Sequence, residues 1–166
     1  MGLLSTLFSC NKNSSNPEEV VKGDAKYRSV MKITDGIIVT HTPSEVSAEE
    51  EGRSGYKYTW IHETSVRSSV GHLKIVEFGA FHLQNTKWVF STYTGKPFTS
   101  DDFAEWYNCP EAMITEGDAF IDPKNWTGSE ALHESSTLWY FIGEDASGQR
   151  YKGISQVDTL AQTKSS

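Results

Sequence analysis

Cysteine is scarce in this sequence, which has only Cys10 and Cys109 among its 166 residues. No C-x-x-C spacing occurs, and this absence excludes a redox dithiol or a zinc ribbon built on paired cysteines. Cys10 lies in an N-terminal segment that we place outside the domain, so a disulfide between the two is not expected. We predict that Cys109 is a small buried apolar residue rather than a nucleophile.

Long apolar runs and the strong catalytic motifs are also missing. No run approaches the roughly 18 apolar residues that a membrane-spanning helix needs. The sequence has no G-x-S-x-G elbow, P-loop, H-E-x-x-H pair or G-x-G-x-x-G turn, which excludes the enzyme classes that depend on these motifs. No residue is therefore predicted to be catalytic.

Positive charge is sparse and scattered. The chain has 15 Lys and Arg against 22 Asp and Glu, which gives a formal net charge of −7. A phosphate backbone repels such a surface, and no Lys/Arg stripe offsets this, so we predict no nucleic-acid partner. Acidic runs such as Glu49–Glu51 predict a solubilising surface. They also leave open a cytosolic interaction or inhibitor protein, whose acidic face docks onto a basic partner.

Changes in composition mark the bounds of one domain, which the length also favours. Residues 1–10 are mostly apolar and are predicted to be a signal or anchor segment. Residues 11–24 are rich in Asn, Ser, Pro, Glu and Gly, a composition typical of a flexible tether. We predict a single β-sandwich domain over residues 25–160 and a frayed tail over residues 161–166.

Apolar and polar residues alternate along most of the domain, and a period of two is typical of β-strands. Turn residues separate these stretches, and Asp35-Gly36 is a strong turn dipeptide. Residues 137–142 (TLWYFI) are apolar on both faces, as expected of a strand covered on both sides. The predicted fold class is therefore all-β, an antiparallel β-sandwich or a jelly-roll-like barrel. The predicted strands include residues 27–33, 36–40, 56–63, 73–83, 87–93, 137–142 and 150–157, and residues 43–55 are predicted to be an acidic loop.

One short helix is predicted near residues 100–107. Thr99 or Ser100 can cap its N-terminus, and two aspartates follow in the first turn, where the helix dipole favours negative charge. Phe103 and Tyr107 are four residues apart, so a helix places them on one face.

The stretch Leu7-Phe8-Ser9-Cys10 resembles the lipobox of bacterial lipoproteins, in which aliphatic and small residues precede an acylated cysteine. No Lys or Arg precedes Cys10, which departs from the basic start of a secretory signal. The resemblance implies lipidation of Cys10, a membrane partner, and a location in the cell envelope outside the cytoplasm.

Two other interpretations of this segment stay open. Residues 1–6 (MGLLST) fit the N-myristoylation pattern, and a palmitate on Cys10 would then complete a double anchor at a cytosolic membrane face. Alternatively, the segment carries no modification and the protein is cytoplasmic.

Aromatic residues make up 12% of the chain and supply the candidate ligand-binding residues. An exposed aromatic row on a β-sandwich binds sugars or peptides by apolar contact and stacking. Trp126 is the leading candidate, because residues 122–128 (DPKNWTG) are predicted to form a loop, where core packing does not account for a tryptophan. Trp139 is assigned to the core. The other candidates are Tyr58, Trp60, Trp88 and Trp106.

Histidines on or beside predicted strands provide an alternative chemistry. Imidazoles inside a β-barrel can hold a metal with an open coordination position. On this interpretation His62, His72 and His133 bind one divalent metal in a small jelly-roll enzyme. The leading prediction is different: a membrane-tethered, non-enzymatic binding module of the cell envelope that needs no cofactor. Its ligand is predicted to be a glycan or a protein.

Overall fold

The structure is a computed structural model, and it describes residues 22–50 and 52–164. The segment over residues 1–10 and most of the tether over residues 11–24 lie outside this part of the chain. The lipidation of Cys10 is outside it as well and stays a prediction.

The described chain is built mainly from strands. In the first half these are β1 (Lys22–Gly23), β2 (Thr34–Asp35), β3 (Ile37–Thr42), β4 (Glu45–Ala48), β5 (Tyr58–Ser68) and β6 (Leu73–Gln84). The second half has β7 (Lys87–Phe90), β8 (Phe98–Thr99), β9 (Met113–Ile114), β10 (Phe120–Ser129), β11 (Ser135–Glu144) and β12 (Arg150–Thr163). The helices are α1 (Ala25–Met31), α2 (Ser100–Trp106) and a 3-10 turn (Pro110–Ala112).

The strands form two sheets, which confirms the prediction of an all-β, sandwich-like fold. The larger sheet has the order β1-β7-β6-β11-β12-β2, with β4 paired to β12 and both β8 and β9 paired to β6. The smaller sheet has the order β10-β5-β3. A β-bridge between Glu49 and Thr59 links the end of β4 to β5 and so connects the two sheets along one edge.

Two apolar cores lie on opposite faces of the larger sheet. Strand β11 separates them, since Trp139 and Phe141 belong to one core and Leu138 and Tyr140 to the other. The first core fills the space between the sheets, where Phe78 stacks on Phe141 with ring centroids 5.4 Å apart. The second core lies beneath α1. Strand β11 is therefore buried on both faces along most of its length, as the stretch over residues 137–142 predicts.

The prediction of a strand over residues 27–33 is wrong, because most of this segment belongs to helix α1 (Ala25–Met31). Asp24 caps the helix: its Oδ1 accepts a hydrogen bond from the backbone N–H of Tyr27 at 2.8 Å. Its Oδ2 accepts from the backbone N–H of Phe90 at 2.7 Å, which fastens the helix to β7. Tyr27 and Val30, three residues apart, then face the second core. In so short a stretch, the tertiary contacts of the cap outweigh β-propensity.

Helix α2 forms where the sequence predicts it. Thr99 is the N-cap, and Asp102 completes a capping box by accepting a hydrogen bond from the Thr99 backbone N–H at 2.7 Å. Phe103 and Tyr107 stack with centroids 4.3 Å apart and bury their rings in the first core.

Three further boundaries differ from the sequence predictions. The acidic segment over residues 43–55 contains β4, because Val46 and Ala48 are buried against β12 and β5. The predicted loop over residues 122–128 lies within β10. Strand β12 continues to Thr163, beyond residue 160, where we placed the end of the domain.

Candidate ligand-binding cleft

A cleft of about 740 Å³ opens between the inner face of the larger sheet and strand β10. Residues of the loops before β8 and before β11 also line it. Its volume lies in the range of small-molecule binding sites, and it mixes aromatic rings with hydrogen-bonding groups. The aromatic residues that line it are Tyr56, Tyr93, Phe98, Trp106, Trp126 and Trp139.

Trp126 is the centre of an aromatic wall, which we define as Tyr56, Tyr93 and Trp126. The Trp126 ring stacks on Tyr93 with centroids 5.8 Å apart, and Tyr56 lies 6.0 Å from it on a tilted plane. Tyr93 is 54% exposed although it is held between Trp126 and Phe98. A ring that is pinned in place and still exposed is preorganised to pack against a ligand.

The larger sheet supplies the floor of the cleft. Ala80 pairs with Trp139 and His82 pairs with Thr137, so these four side chains share one face. The indole N–H of Trp139 is buried and has no hydrogen-bond partner within the described chain. Burial, and then the charge of His133, lower the pKa of His82, so its imidazole is neutral at physiological pH.

A β-bulge in β10 shapes the opposite wall. Asp122 pairs with Thr64 and Asn125 pairs with His62, so the register shifts between the two pairs. Residues opposite each other on paired strands point to the same side. The bulge therefore brings Asp122 and Asn125 to the inner face together, and both line the cleft. Burial raises the pKa of the Asp122 carboxyl, while the Lys124 backbone N–H and the charge of Arg53 oppose the shift.

A chain of buried hydrogen bonds leads from this wall into the protein. Asn125 Nδ2 donates to Thr64 Oγ1 at 2.9 Å, and Thr64 Oγ1 lies 2.9 Å from His41 Nδ1. His41 Nε2 lies 3.1 Å from the Ser155 carbonyl oxygen, which only accepts. In the neutral ring Nε2 therefore carries the proton, and Thr64 donates to Nδ1.

Two more buried polar groups lie beside this chain. The His62 ring packs edge to face against His41, and neither of its nitrogens has a hydrogen-bond partner within the described chain. The Tyr107 hydroxyl is likewise buried and unpartnered there. Burial, and then the negative charge of Asp122, raise the pKa of Tyr107 well above its usual value, and the hydroxyl of Thr64 opposes the rise. Polar side chains therefore lie behind the wall formed by Asp122 and Asn125: Thr64, His41, His62 and Tyr107.

The structure brings two of the five aromatic candidates to the cleft, Trp126 and Trp106. Trp60 is fully buried, and its indole N–H donates to the Leu160 carbonyl at 2.9 Å. Trp88 belongs to the second core, and Tyr58 packs against the first. The alternation over residues 56–63 correctly indicates that these aromatic side chains share one face of β5. That face is turned toward the larger sheet, which covers most of it.

The histidines of the metal interpretation occupy different surroundings. His62 is buried, whereas His72 and His133 are exposed. Within residues 22–50 and 52–164, no group of three or more His, Cys, Asp or Glu side chains could hold a metal ion. Cys109 is buried, as predicted, and burial raises the pKa of its thiol to about 11.

No family model matches this chain, and neither a curated protein nor a solved structure does. Neither helix of the described part is long and apolar enough to cross a membrane. The fold and the cleft thus define a class in structural terms alone: a two-sheet, all-β protein with an aromatic-walled cleft at the edge of its core.

Proposed function

We propose that this protein is a non-enzymatic binding module that takes a glycan in the cleft. The supporting observation is the aromatic wall beside the hydrogen-bonding side chains of Asp122 and Asn125. A sugar ring has apolar C–H faces and a polar edge of hydroxyl groups. The C–H face packs against the face of an aromatic ring, and the hydroxyls need fixed donors and acceptors. The cleft offers both within about 740 Å³.

The first prediction concerns the aromatic wall. Substituting Trp126→Ala is expected to weaken glycan binding by about 2 kcal/mol, roughly 30-fold in Kd, because it removes the central ring of the wall. A panel of oligosaccharides screened by intrinsic tryptophan fluorescence would identify the ligand, and titration calorimetry would then compare the variants.

Ile121→Ala is the matched control for this experiment. Ile121 lies on the same strand, is 41% exposed and does not line the cleft, so its loss should leave Kd unchanged. Equal affinities of Trp126→Ala and Ile121→Ala would count against the cleft as the binding site. A panel in which no glycan binds the unaltered protein would overturn the proposed function.

We further propose that acylated Cys10 tethers the module to a membrane of the cell envelope. The lipobox-like stretch ending at Cys10 and the linker composition of residues 11–24 support this location. Such a tether would hold the folded domain a short distance from the membrane and leave the cleft free for an extracytoplasmic ligand.

Mass spectrometry of the N-terminal peptide tests the tether. From the membrane fraction of the native host, we expect a peptide that begins at Cys10 and carries a diacylglyceryl group. Cys10→Ala should move the protein to the soluble fraction, whereas Cys109→Ala should not. An unmodified peptide that begins at Met1 or Gly2 in the soluble fraction would contradict the tether and favour the cytosolic interaction protein.

A further inference from the structure

The bulge of β10 places a hydrogen-bond acceptor and a hydrogen-bond donor on the same face of the cleft wall, opposite β5 residues that are two positions apart. Asp122 presents a carboxylate, of which Oδ1 accepts from the Lys124 backbone N–H at 3.0 Å. Asn125 presents an amide. Its Oδ1 accepts from the Trp126 backbone N–H at 2.8 Å, and its Nδ2 donates to Thr64.

Both groups keep hydrogen-bonding capacity after these contacts. A carboxylate accepts about four hydrogen bonds, and a primary amide donates two. Among the described residues, Asp122 accepts through one oxygen and Asn125 donates one N–H. An acceptor next to a donor is the complement of two neighbouring hydroxyl groups, one of which donates while the other accepts.

The two side chains are also fixed in orientation. Contacts at both ends of the Asn125 amide exclude the flipped rotamer, because a flip would place an N–H against the Trp126 N–H. The bulge backbone is braced too, since Arg53 Nη1 donates to the Lys124 carbonyl at 3.2 Å. A site that holds its donors and acceptors rigidly discriminates strongly between ligands that match it and ligands that do not.

The charge of the cleft is balanced. Two basic side chains line it, Arg53 and Lys124, together with two acidic ones, Asp122 and Glu134. The two positive and two negative charges balance. Within the described residues, no ion pair joins any of these four side chains. A lining with no net formal charge gives no net attraction to an anionic or a cationic ligand.

From these observations we infer that Asp122 and Asn125 form a specificity-determining pair for two adjacent hydroxyl groups of an uncharged pyranose, whose ring packs on the aromatic wall. This inference rests on the proposed function and deepens it. The aromatic wall supplies affinity for sugar rings in general, and the Asp122–Asn125 pair selects among them.

The test is a thermodynamic cycle between protein variants and deoxy sugars. The probes are methyl hexopyranosides of gluco, galacto and manno configuration, with their uronic acids and monodeoxy analogues, measured by titration calorimetry. We expect the unaltered protein to prefer one neutral sugar over its uronic acid by at least about 10-fold. Two deoxy analogues at adjacent positions should lose about 10- to 100-fold in affinity, and the others much less.

Asp122→Asn should lower the affinity for the parent sugar by about 10- to 100-fold. The variant should bind the deoxy sugar that lacks the matching hydroxyl almost as well as it binds the parent sugar. Asp118→Asn makes the same chemical change at an exposed position that does not line the cleft, and it is the matched control, expected to keep the preference for the parent sugar over its deoxy analogue. Trp126→Ala should weaken all sugars together and leave their order unchanged.

The outcomes separate the inference from the proposed function. If sugars bind through Trp126 but Asp122→Asn behaves like Asp118→Asn, the specificity pair is overturned and the glycan-binding module stands. If no probe binds the unaltered protein and the wider oligosaccharide panel also fails, both are overturned. If Asp122→Asn does not fold, the deoxy sugars measured on the unaltered protein decide. The specificity pair is overturned if no deoxy sugar binds more weakly than its parent, or if those that do lack hydroxyls at non-adjacent ring positions.

Discussion

Lowering the pH from about 7 to about 4.5 is expected to destabilise the folded protein by roughly 5 kcal/mol. The source is a pair of buried imidazoles, His41 and His62, whose ring centroids lie 5.0 Å apart. Burial lowers the pKa of His41 from 6.5 to about 4. Burial, and then the charge of His41, lower the pKa of His62 to about 3, with the backbone of Trp60 opposing the shift.

The direction of the effect follows from proton uptake. In the unfolded chain both imidazoles protonate near their ordinary pKa of 6.5, whereas in the folded protein they stay neutral to much lower pH. The unfolded state therefore binds more protons below that value, and stability falls by about 1.4 kcal/mol per histidine for each pH unit. Asp122 acts in the opposite sense, because its raised pKa lets the folded state take up a proton as well.

Urea unfolding at a series of pH values measures this effect. Because small proteins have a total stability of about 5–15 kcal/mol, we expect the unfolding midpoint to fall steeply or vanish near pH 4.5. His62→Met should remove about half of the slope that His41 and His62 contribute together; His82, whose pKa burial also lowers, adds a share that this substitution leaves in place. His62→Met should not weaken the protein at pH 7, because a buried polar group without a partner is replaced by an apolar side chain of similar volume.

His72→Met is the matched control, since His72 is solvent-exposed. It should follow the pH dependence of the unaltered protein. The explanation fails if the unaltered protein has the same urea midpoint at both pH values. It fails equally if His62→Met and His72→Met give the same slope.

The parts of the fold that the sequence predicts are those with a local cause. Helix α2 follows from a capping residue, two aspartates and an apolar spacing, all within one short segment. Strand β11 is predicted by a stretch that is apolar on both faces, because an element with one solvent-exposed face would alternate apolar and polar residues. Both signals depend on neighbours in sequence, so no tertiary knowledge is needed.

The errors arise where distant contacts decide the structure. Asp24 caps α1 while also binding the Phe90 backbone on β7, and that second contact cannot be foreseen from residues 24–33. The segment around Trp126 contains Pro, Asn and Gly, which predict a loop. It is nevertheless a strand, because the bulge confines Pro123 and Lys124 between two stretches that pair with β5.

The candidate site is predicted only in part for the same reason. Trp126 and Trp106 are two of the five aromatic candidates, and both line the cleft. The reason for favouring Trp126, a predicted loop, is wrong, because the residue lies within β10. Asp122 has the sequence appearance of a turn-capping residue, and it does bind the Lys124 N–H. Its position on the cleft wall depends on pairing with Thr64, which no local pattern encodes.

Thr64→Val is expected to destabilise the protein by roughly 3 kcal/mol, although the two side chains have nearly the same shape. The substitution removes the hydroxyl that donates to His41 Nδ1 and accepts from Asn125 Nδ2. Both groups then remain buried without a partner, and each orphaned group costs about 1–3 kcal/mol. Urea unfolding at pH 7 measures the difference.

Two variants make the interpretation specific. Thr64→Ser keeps the hydroxyl and should recover most of the stability. Thr40→Val makes the same chemical change at an exposed position of β3 and should be close to neutral. A Thr64→Val protein as stable as Thr40→Val would mean that the hydroxyl does not bridge His41 and Asn125.

The same variant connects stability to binding. Thr64 fixes one end of the Asn125 amide, so its loss frees that side chain to turn within the cleft wall. We therefore expect Thr64→Val to lower glycan affinity and to weaken the discrimination between a sugar and its deoxy analogue, even where the protein is fully folded. A stable, folded Thr64→Val protein with unchanged discrimination would show that the buried chain supports the fold alone. Lost discrimination would show that residues behind the cleft position the side chains that select the ligand.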